Sequence, residues 1–221
     1  WSFDGPDMAG VSAFDRSPSY ATGTLTNGPV RSVGRIGQAL NFDGSDDYTS
    51  HGDVDAFDAL GALSACTWMK PGAISNFQHI FGKTDSPVTS GWELQSGGTS
   101  FGGSDDILVL LSGGSGTFGY TTGNFLSNNI WKHVCFTYDG SGSGNADKLK
   151  IFIDGVSASL SFSGTLPSSI SGNATAFTIA FNNAGSDNFY KGQLDDVRIY
   201  NRVLSADEIK RLYRIGATLK I

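Results

Sequence analysis

Carboxylates are the first residues in this chain to weigh for chemistry. Asp and Glu together number 21, yet only Glu93 and Glu208 are glutamates. Glycosidic cleavage needs two carboxyl groups about 5 to 9.5 Å apart, one of them able to hold a proton. Glu208 closes the sequence Ser205-Ala206-Asp207-Glu208, an S-x-x-E capping box at a helix start, and is consumed there. Glu93 stands alone between Trp92 and Leu94. Acidic doublets occur at Asp46-Asp47, Asp105-Asp106 and Asp195-Asp196, but neighbours on a strand point to opposite faces, so a doublet is not a catalytic pair. His133 lies in an alternating run and reads as structural. Catalysis is not expected.

Two other chemistries remain open. Divalent calcium takes six to eight oxygens, which turns rich in Asp, Asn and Gly can supply. Leu194, Val197 and Ile199 are spaced three then two, so the strand is expected to bulge at Asp195-Asp196 and re-aim those side chains. Aromatic faces are the second chemistry. Trp92, Phe118, Tyr120 and Tyr190 sit in glycine-rich polar surroundings, where rings can cover the C–H face of a sugar or simply pack. Trp68 and Trp131 lie in alternating runs and read as core.

Almost every element available to position these groups is a strand. Ala39–Phe42, Leu63–Lys70, Gln78–Lys83, Gly91–Gln95, Ile107–Leu111, Trp131–Tyr138, Lys148–Ile153 and Ala176–Phe181 are short apolar or alternating runs between turn signals. Trp1–Phe3 reads as an opening strand ending in the turn at Asp4-Gly5, and residues 6–33 as irregular loop or short strands. One helix is convincing: Leu204 and Ile209 form a hydrophobic staple around the capping box, and Ile209, Leu212 and Tyr213 share a face. Roughly a dozen strands at this spacing point to a sandwich or jelly roll.

Composition sets the outer limits. The length of 221 residues fits one larger all-β domain spanning residues 1–221, and 15 Phe, 7 Tyr and 4 Trp provide core material. Thirty Gly supply the turns such a fold needs. A net charge of −6 argues against nucleic acid or an anionic membrane as the main partner, and no apolar run approaches a membrane span. The start at Trp1 reads as a mature or excised piece of a longer protein. Cys66 and Cys135 are either two buried thiols or an inter-strand disulfide of an exported protein.

Several stretches together are similar to something known. They are GRIGQALNFDGSDDYT at Gly34–Thr49, LSACTWMKP at Leu63–Pro71, IFGK at Ile80–Lys83, WKHVCFTYDG at Trp131–Gly140, LKIFIDG at Leu149–Gly155 and GQLDDVRIYNRVLSADEI from Gly192. In this order the set resembles the LamG-like, concanavalin A-like family and, more distantly, the pentraxins. The resemblance implies an all-β, two-sheet antiparallel jelly-roll sandwich with one short C-terminal helix, binding on its concave face or rim loops. It implies a Cys66–Cys135 disulfide, because pentraxins carry bonded cysteines in the matching strands. It implies a structural calcium between the first and last strands, recruiting Asp4 and Asp195 with a carbonyl near Asp43; otherwise Asp4 and Asp43 cap their turns and Asp195 bonds backbone amides. A rim-loop calcium would draw on Asp85, Asn182, Asn183 and Asp187, although the Glu-rich pentraxin pattern is absent and two polar turns are the alternative. The E-x-D-x-E of related glucanases and the Arg, His, Gln and Tyr clusters of related lyases are also absent. The expectation is a non-catalytic, extracellular carbohydrate-binding or adhesion module, with Trp92, Phe118, Tyr120 and Tyr190 as ligand-binding candidates. A protein-interaction domain is the alternative and a polysaccharide-cleaving enzyme the third reading.

Overall fold

The computed structural model describes residues 1–85, 88–112, 117–182 and 188–218. The first strands are short: β1 (Met8–Ala9), β2 (Ser12–Ala13), β3 (Gly23–Thr26), β4 (Val30–Val33), β5 (Gln38–Asp43) and β6 (Tyr48–Ser50). The middle of the chain supplies β7 (Ala62–Pro71), β8 (His79–Thr84), β9 (Gly91–Ser96), β10 (Ile107–Ser112), β11 (Phe118–Thr121) and β12 (Lys132–Asp139). Then come α1 (Asn145–Lys148), β13 (Leu149–Ile153), β14 (Val156–Ser157), β15 (Leu160–Ser163), β16 (Thr178–Ile179), β17 (Lys191–Tyr200) and α2 (Ala206–Thr218). All pairings among them are antiparallel. The ten-stranded sheet is ordered β1-β2-β3-β6-β16-β8-β9-β10-β11-β15, and the seven-stranded sheet β14-β13-β12-β7-β17-β5-β4. This is the jelly-roll sandwich that the resemblance implies.

Alternation decides which side chains fill the space between the sheets. Trp92 and Leu94 on β9, Val109 and Leu111 on β10, and Val134 and Phe136 on β12 all turn inward and are buried. Trp92 sits among Phe57, Phe81, Phe136 and Phe177 with ring centroids 5.9–6.2 Å away, mostly edge-on or tilted. Rings of this size each contribute roughly 1.5–3 kcal/mol by leaving water. Lys83 is buried in the same layer, its charge met by Asp53 at 2.6 Å and Asp58 at 2.7 Å.

The outer faces carry two smaller apolar clusters. On the seven-stranded sheet, α2 lays Ile209 and Leu212 over Cys66, Cys135 and Phe152. Cys66 and Cys135 are directly paired across β7 and β12 and form a disulfide. On the ten-stranded sheet, Leu108, Leu110 and Phe118 are covered by Phe77, Phe101 and Tyr120.

Some local expectations change. Trp1–Phe3 is not a strand element: Phe3 has a left-handed φ of 59°, and Trp1 instead exchanges backbone bonds with Val197. Only Thr178–Ile179 of the expected strand 176–181 is in a sheet, because Ala180 turns left-handed at φ 71°. The glycine-rich loop after β12 contains the short helix α1, so α2 is not alone. Trp68 is buried, but under α2 on the outer face; Trp131 precedes β12 and is half-buried, which removes it from the core.

Candidate functional site

β17 bulges where its apolar spacing breaks. It pairs with β5 only as far as Leu194 opposite Leu40, and its register against β7 shifts between Asp195 and Arg198, with Asp196 at φ 52°. The bulge re-aims two neighbouring carboxylates toward different neighbours. Asp195 is fully buried beside the turn that joins β4 to β5, and its Oδ2 accepts from the Ile36 amide at 2.7 Å. Asp4 reaches the same turn, its Oδ1 accepting from the Gln38 amide at 2.8 Å. Glycine is required at both close approaches. A Cβ on Gly34 would lie 2.6 Å from Asp195 Oδ2, and one on Gly37, which has φ +62°, would meet Asp4 Oδ1.

Two oxygens in this region, Asp195 Oδ1 and Gln38 Oε1, are buried without a hydrogen-bond partner. Burial pushes the Asp195 carboxyl up to about 7, with Asp196 and Asp4 adding repulsion. Carboxylate and amide oxygens of this kind are what a hard divalent cation takes. Asp4, Asp195 and Gln38 could supply oxygens to such an ion, and Gln38 is the residue that sequence reasoning missed. Asp43 does not join them. It sits opposite Lys191 at the far end of the β5–β17 pairing and accepts from the Ser45 amide at 2.8 Å, capping its own turn.

The second expected cation site is not assembled by the described residues. Asp85 spends its carboxylate on its own loop, accepting from Thr89 N, Thr89 Oγ1 and Ser90 N at 2.6–2.8 Å. Asn182 is buried in another network, where its Nδ2 donates to Glu93 Oε2 at 3.0 Å and its Oδ1 accepts from Thr84 at 3.3 Å. His79 Nδ1 also bonds Glu93 Oε2, at 3.2 Å. Asn183 and Asp187 lie outside the described residues.

The expected aromatic platform also needs correction. Trp92 and Tyr190 are fully buried in the core, so neither offers a face to a ligand. Phe118 is almost as buried, and the half-buried Tyr120 packs beside it, with Phe101 4.7 Å from Phe118 and 6.0 Å from Tyr120. Glycine-rich surroundings suggest exposed rings, but Trp92 and Tyr190 belong to the core between the sheets and Phe118 is covered by Phe101 and Tyr120.

A groove of about 310 Å³ opens instead where the other half of the bulge meets the N-terminal segment. Trp1, Phe14, Phe57 and Tyr200 are its aromatic lining, with the Arg16 guanidinium 5.4 Å from the Phe14 ring and the Arg202 guanidinium 5.8 Å from the Tyr200 ring. Two carboxylate–guanidinium pairs provide its polar edge: Asp7 with Arg16 at 2.6 Å and Asp196 with Arg198 at 2.9 Å. Hydrogen bonds from Ser2 and Arg16 hold the Asp7 carboxyl below the usual carboxylate range. Burial pushes Asp15 up, but bonds from Ser17 and the Ala21 amide outweigh it and leave that carboxyl low as well. Both carboxylates are thus ionised at neutral pH. The groove continues past Tyr200 into a second hollow of about 320 Å³ lined by Pro18, Leu60 and Asn201. Such a surface can bond hydroxyl groups as donor and acceptor and cover an apolar face. No single motif announces it, because its two sides come from opposite ends of the chain.

Known proteins place this architecture. In solved structures the fold recurs in domain 4 of AbnA, a GH43 extracellular arabinanase from Geobacillus stearothermophilus, in complex with arabinotriose. That likeness has a TM-score of 0.67 and 20% identity, over 86% of this chain and 87% of that one. The botulinum neurotoxin serotype G binding domain gives 0.70 and 16%, covering 93% of this chain and 49% of that one, so this chain spans about half of it. A heptameric SAP-like pentraxin from Limulus polyphemus gives 0.50 and 15%, over 71% of each chain. At these identities the likeness is one of fold. No curated protein sequence matches the chain. The family model for the concanavalin A-like lectin/glucanases superfamily matches residues 43–210, and the chain belongs to that superfamily.

Proposed function

We propose that the chain is a non-catalytic carbohydrate-binding module, spanning residues 1–221 and working outside the cell. The groove between Phe14 and Tyr200 carries this reading. It combines aromatic side chains with paired carboxylates and guanidiniums, and the carboxyls whose titration is displaced there, Asp7 and Asp15, are both held ionised. A glycosidase needs one carboxyl kept protonated at the scissile bond. Neither glutamate supplies it: Glu93 is sealed under Asn182 and His79, and Glu208 is tied to Arg202 and Ser205 in the helix cap. A neutral glycan suits paired charges better than an ionic ligand does.

The wider setting supports the same reading. The domain of the extracellular arabinanase was solved with arabinotriose, and the neurotoxin domain is a binding domain. The Cys66–Cys135 disulfide fits an oxidising compartment. Among the described residues no helix is long and apolar enough to cross a membrane. Calcium, in this reading, is held by Asp4, Asp195 and Gln38 as a structural ion. It would neutralise the buried Asp195 carboxylate and tie the N-terminal segment to the β4–β5 turn, which fixes one wall of the groove.

A panel of neutral oligosaccharides, offered in calcium and in EDTA, tests the reading alongside an assay for released reducing ends. Saturable binding to at least one oligosaccharide without release is expected. Release of reducing ends would make the chain an enzyme, and no binding under either condition would leave a protein-interaction domain.

A further inference from the structure

A second pocket, of about 330 Å³, lies on the outer face of the seven-stranded sheet and shares no lining residue with the groove. Its floor is Trp68 on β7 and its walls include Arg35, Asn129, Trp131, Asp154 and Tyr213. α2 can descend onto Trp68 only because residue 216 is glycine: a Cβ there would lie 2.6 Å from the indole Nε1. Tyr213 then stacks on the Trp68 ring, with centroids 5.7 Å apart and planes 30° apart.

Two donors are left over in this pocket. Trp68 is 2% exposed, and its Nε1 has no hydrogen-bond partner. Arg35 Nε is likewise buried and unpartnered. The Arg35 guanidinium lies 5.1 Å from the centroid of the Trp68 ring, and no described carboxylate forms an ion pair with it. A buried donor without an acceptor costs roughly 1–3 kcal/mol. Gly216 closes over the Trp68 Nε1 edge, so the half-buried Arg35 guanidinium is the group placed to meet an incoming acceptor. Asp154 does not fill that role. Its Oδ2 accepts from Lys132 Nζ at 2.8 Å and its Oδ1 from the His133 amide at 3.0 Å. Lys70 adds positive charge 6.0 Å from the Trp131 ring.

We propose that this pocket binds a carboxylated sugar unit of the uronic-acid type. The guanidinium fork of Arg35 is matched to a planar carboxylate. Trp131, half-buried at the rim, offers a ring face to the C–H side of the pyranose. The volume is at the small end for ligand pockets, which suits a single sugar ring. This goes beyond the neutral-glycan groove in place, residues and ligand charge, and it does not depend on that groove.

Indole N–H resonances read the pocket directly in titrations of the nitrogen-labelled protein with glucuronate, glucose and acetate. Saturable shifts of the Trp68 and Trp131 signals are expected with glucuronate, with affinity about tenfold or more above that for glucose or acetate. Arg35→Gln should lose about tenfold in affinity while keeping the parent's spectral dispersion, and Trp131→Phe, which also assigns the signals, should weaken binding less. The proposal fails if glucuronate gives no saturable shift. It also fails if glucose or acetate binds equally well, or if Arg35→Gln binds as the parent does.

Discussion

His133 is an imidazole buried against Trp68, with ring centroids 5.0 Å apart, and burial lowers its pKa from 6.5 to about 4. Asp196 and Asp154 pull it back upward and Arg198 pushes it down, without reversing the outcome. In the unfolded chain the ring takes its proton near pH 6.5; in the fold it resists until about pH 4. Its stabilising contribution is therefore complete above pH 6.5 and is lost as pH falls toward 4, by about 3 kcal/mol in all. His51, also lowered to about 4, works in the same direction. Urea unfolding measured from pH 7 down to pH 4.5 should show this loss, and His133→Phe should flatten the slope; an unchanged slope would contradict it. At this scale the sequence was legible where a rule of spacing was local. The bulge at Asp195 followed from three apolar positions, and the structural role of His133 from one alternating run. Trp92 and Tyr190 were misplaced because glycine-rich neighbours do not reveal which side of a sheet a ring faces.

α2 shows how local signals reach tertiary structure. Ser205 and Glu208 exchange their reciprocal cap bonds at 2.8 and 3.2 Å, and Leu204 and Ile209 are buried together, as the sequence predicts. The helix then covers the Cys66–Cys135 bridge between β7 and β12. Closing a loop of 69 residues should stabilise the fold by roughly 4 kcal/mol in the chain-entropy model. The double variant Cys66→Ala/Cys135→Ala should lower stability by about that amount in denaturant unfolding. A loss well under 1 kcal/mol would mean that sheet pairing alone restrains these strands. Strand limits were harder to read than the helix. Pairing partners are distant in sequence, and left-handed residues such as Phe3 and Ala180 carry no warning in their side chains.

The architecture of the whole molecule was legible because its motifs recur in order along most of the chain. The groove and the second pocket were not, because each is built by topology. The groove joins residues 7–16 to residues 196–200, and the second pocket joins the β4–β5 turn to α2. The proposed calcium would link these levels, since Asp4 and Gln38 meet at the β4–β5 turn, beside the buried Asp195. Melting in calcium and in EDTA should differ by several degrees for the parent and hardly at all for Asp195→Asn, because a ligand of the native state adds stability by mass action. Equal melting of the parent in both would remove the ion. The central claim, glycan binding in the groove, is met most directly by calorimetric titration of the best neutral oligosaccharide into the parent and into Tyr200→Ala. The parent should bind one equivalent and the variant about tenfold more weakly, while the variant keeps the parent's spectral dispersion and melts somewhat lower because Tyr200 also packs on the disulfide cluster. Equal affinity in the two proteins would place the glycan elsewhere and contradict the account.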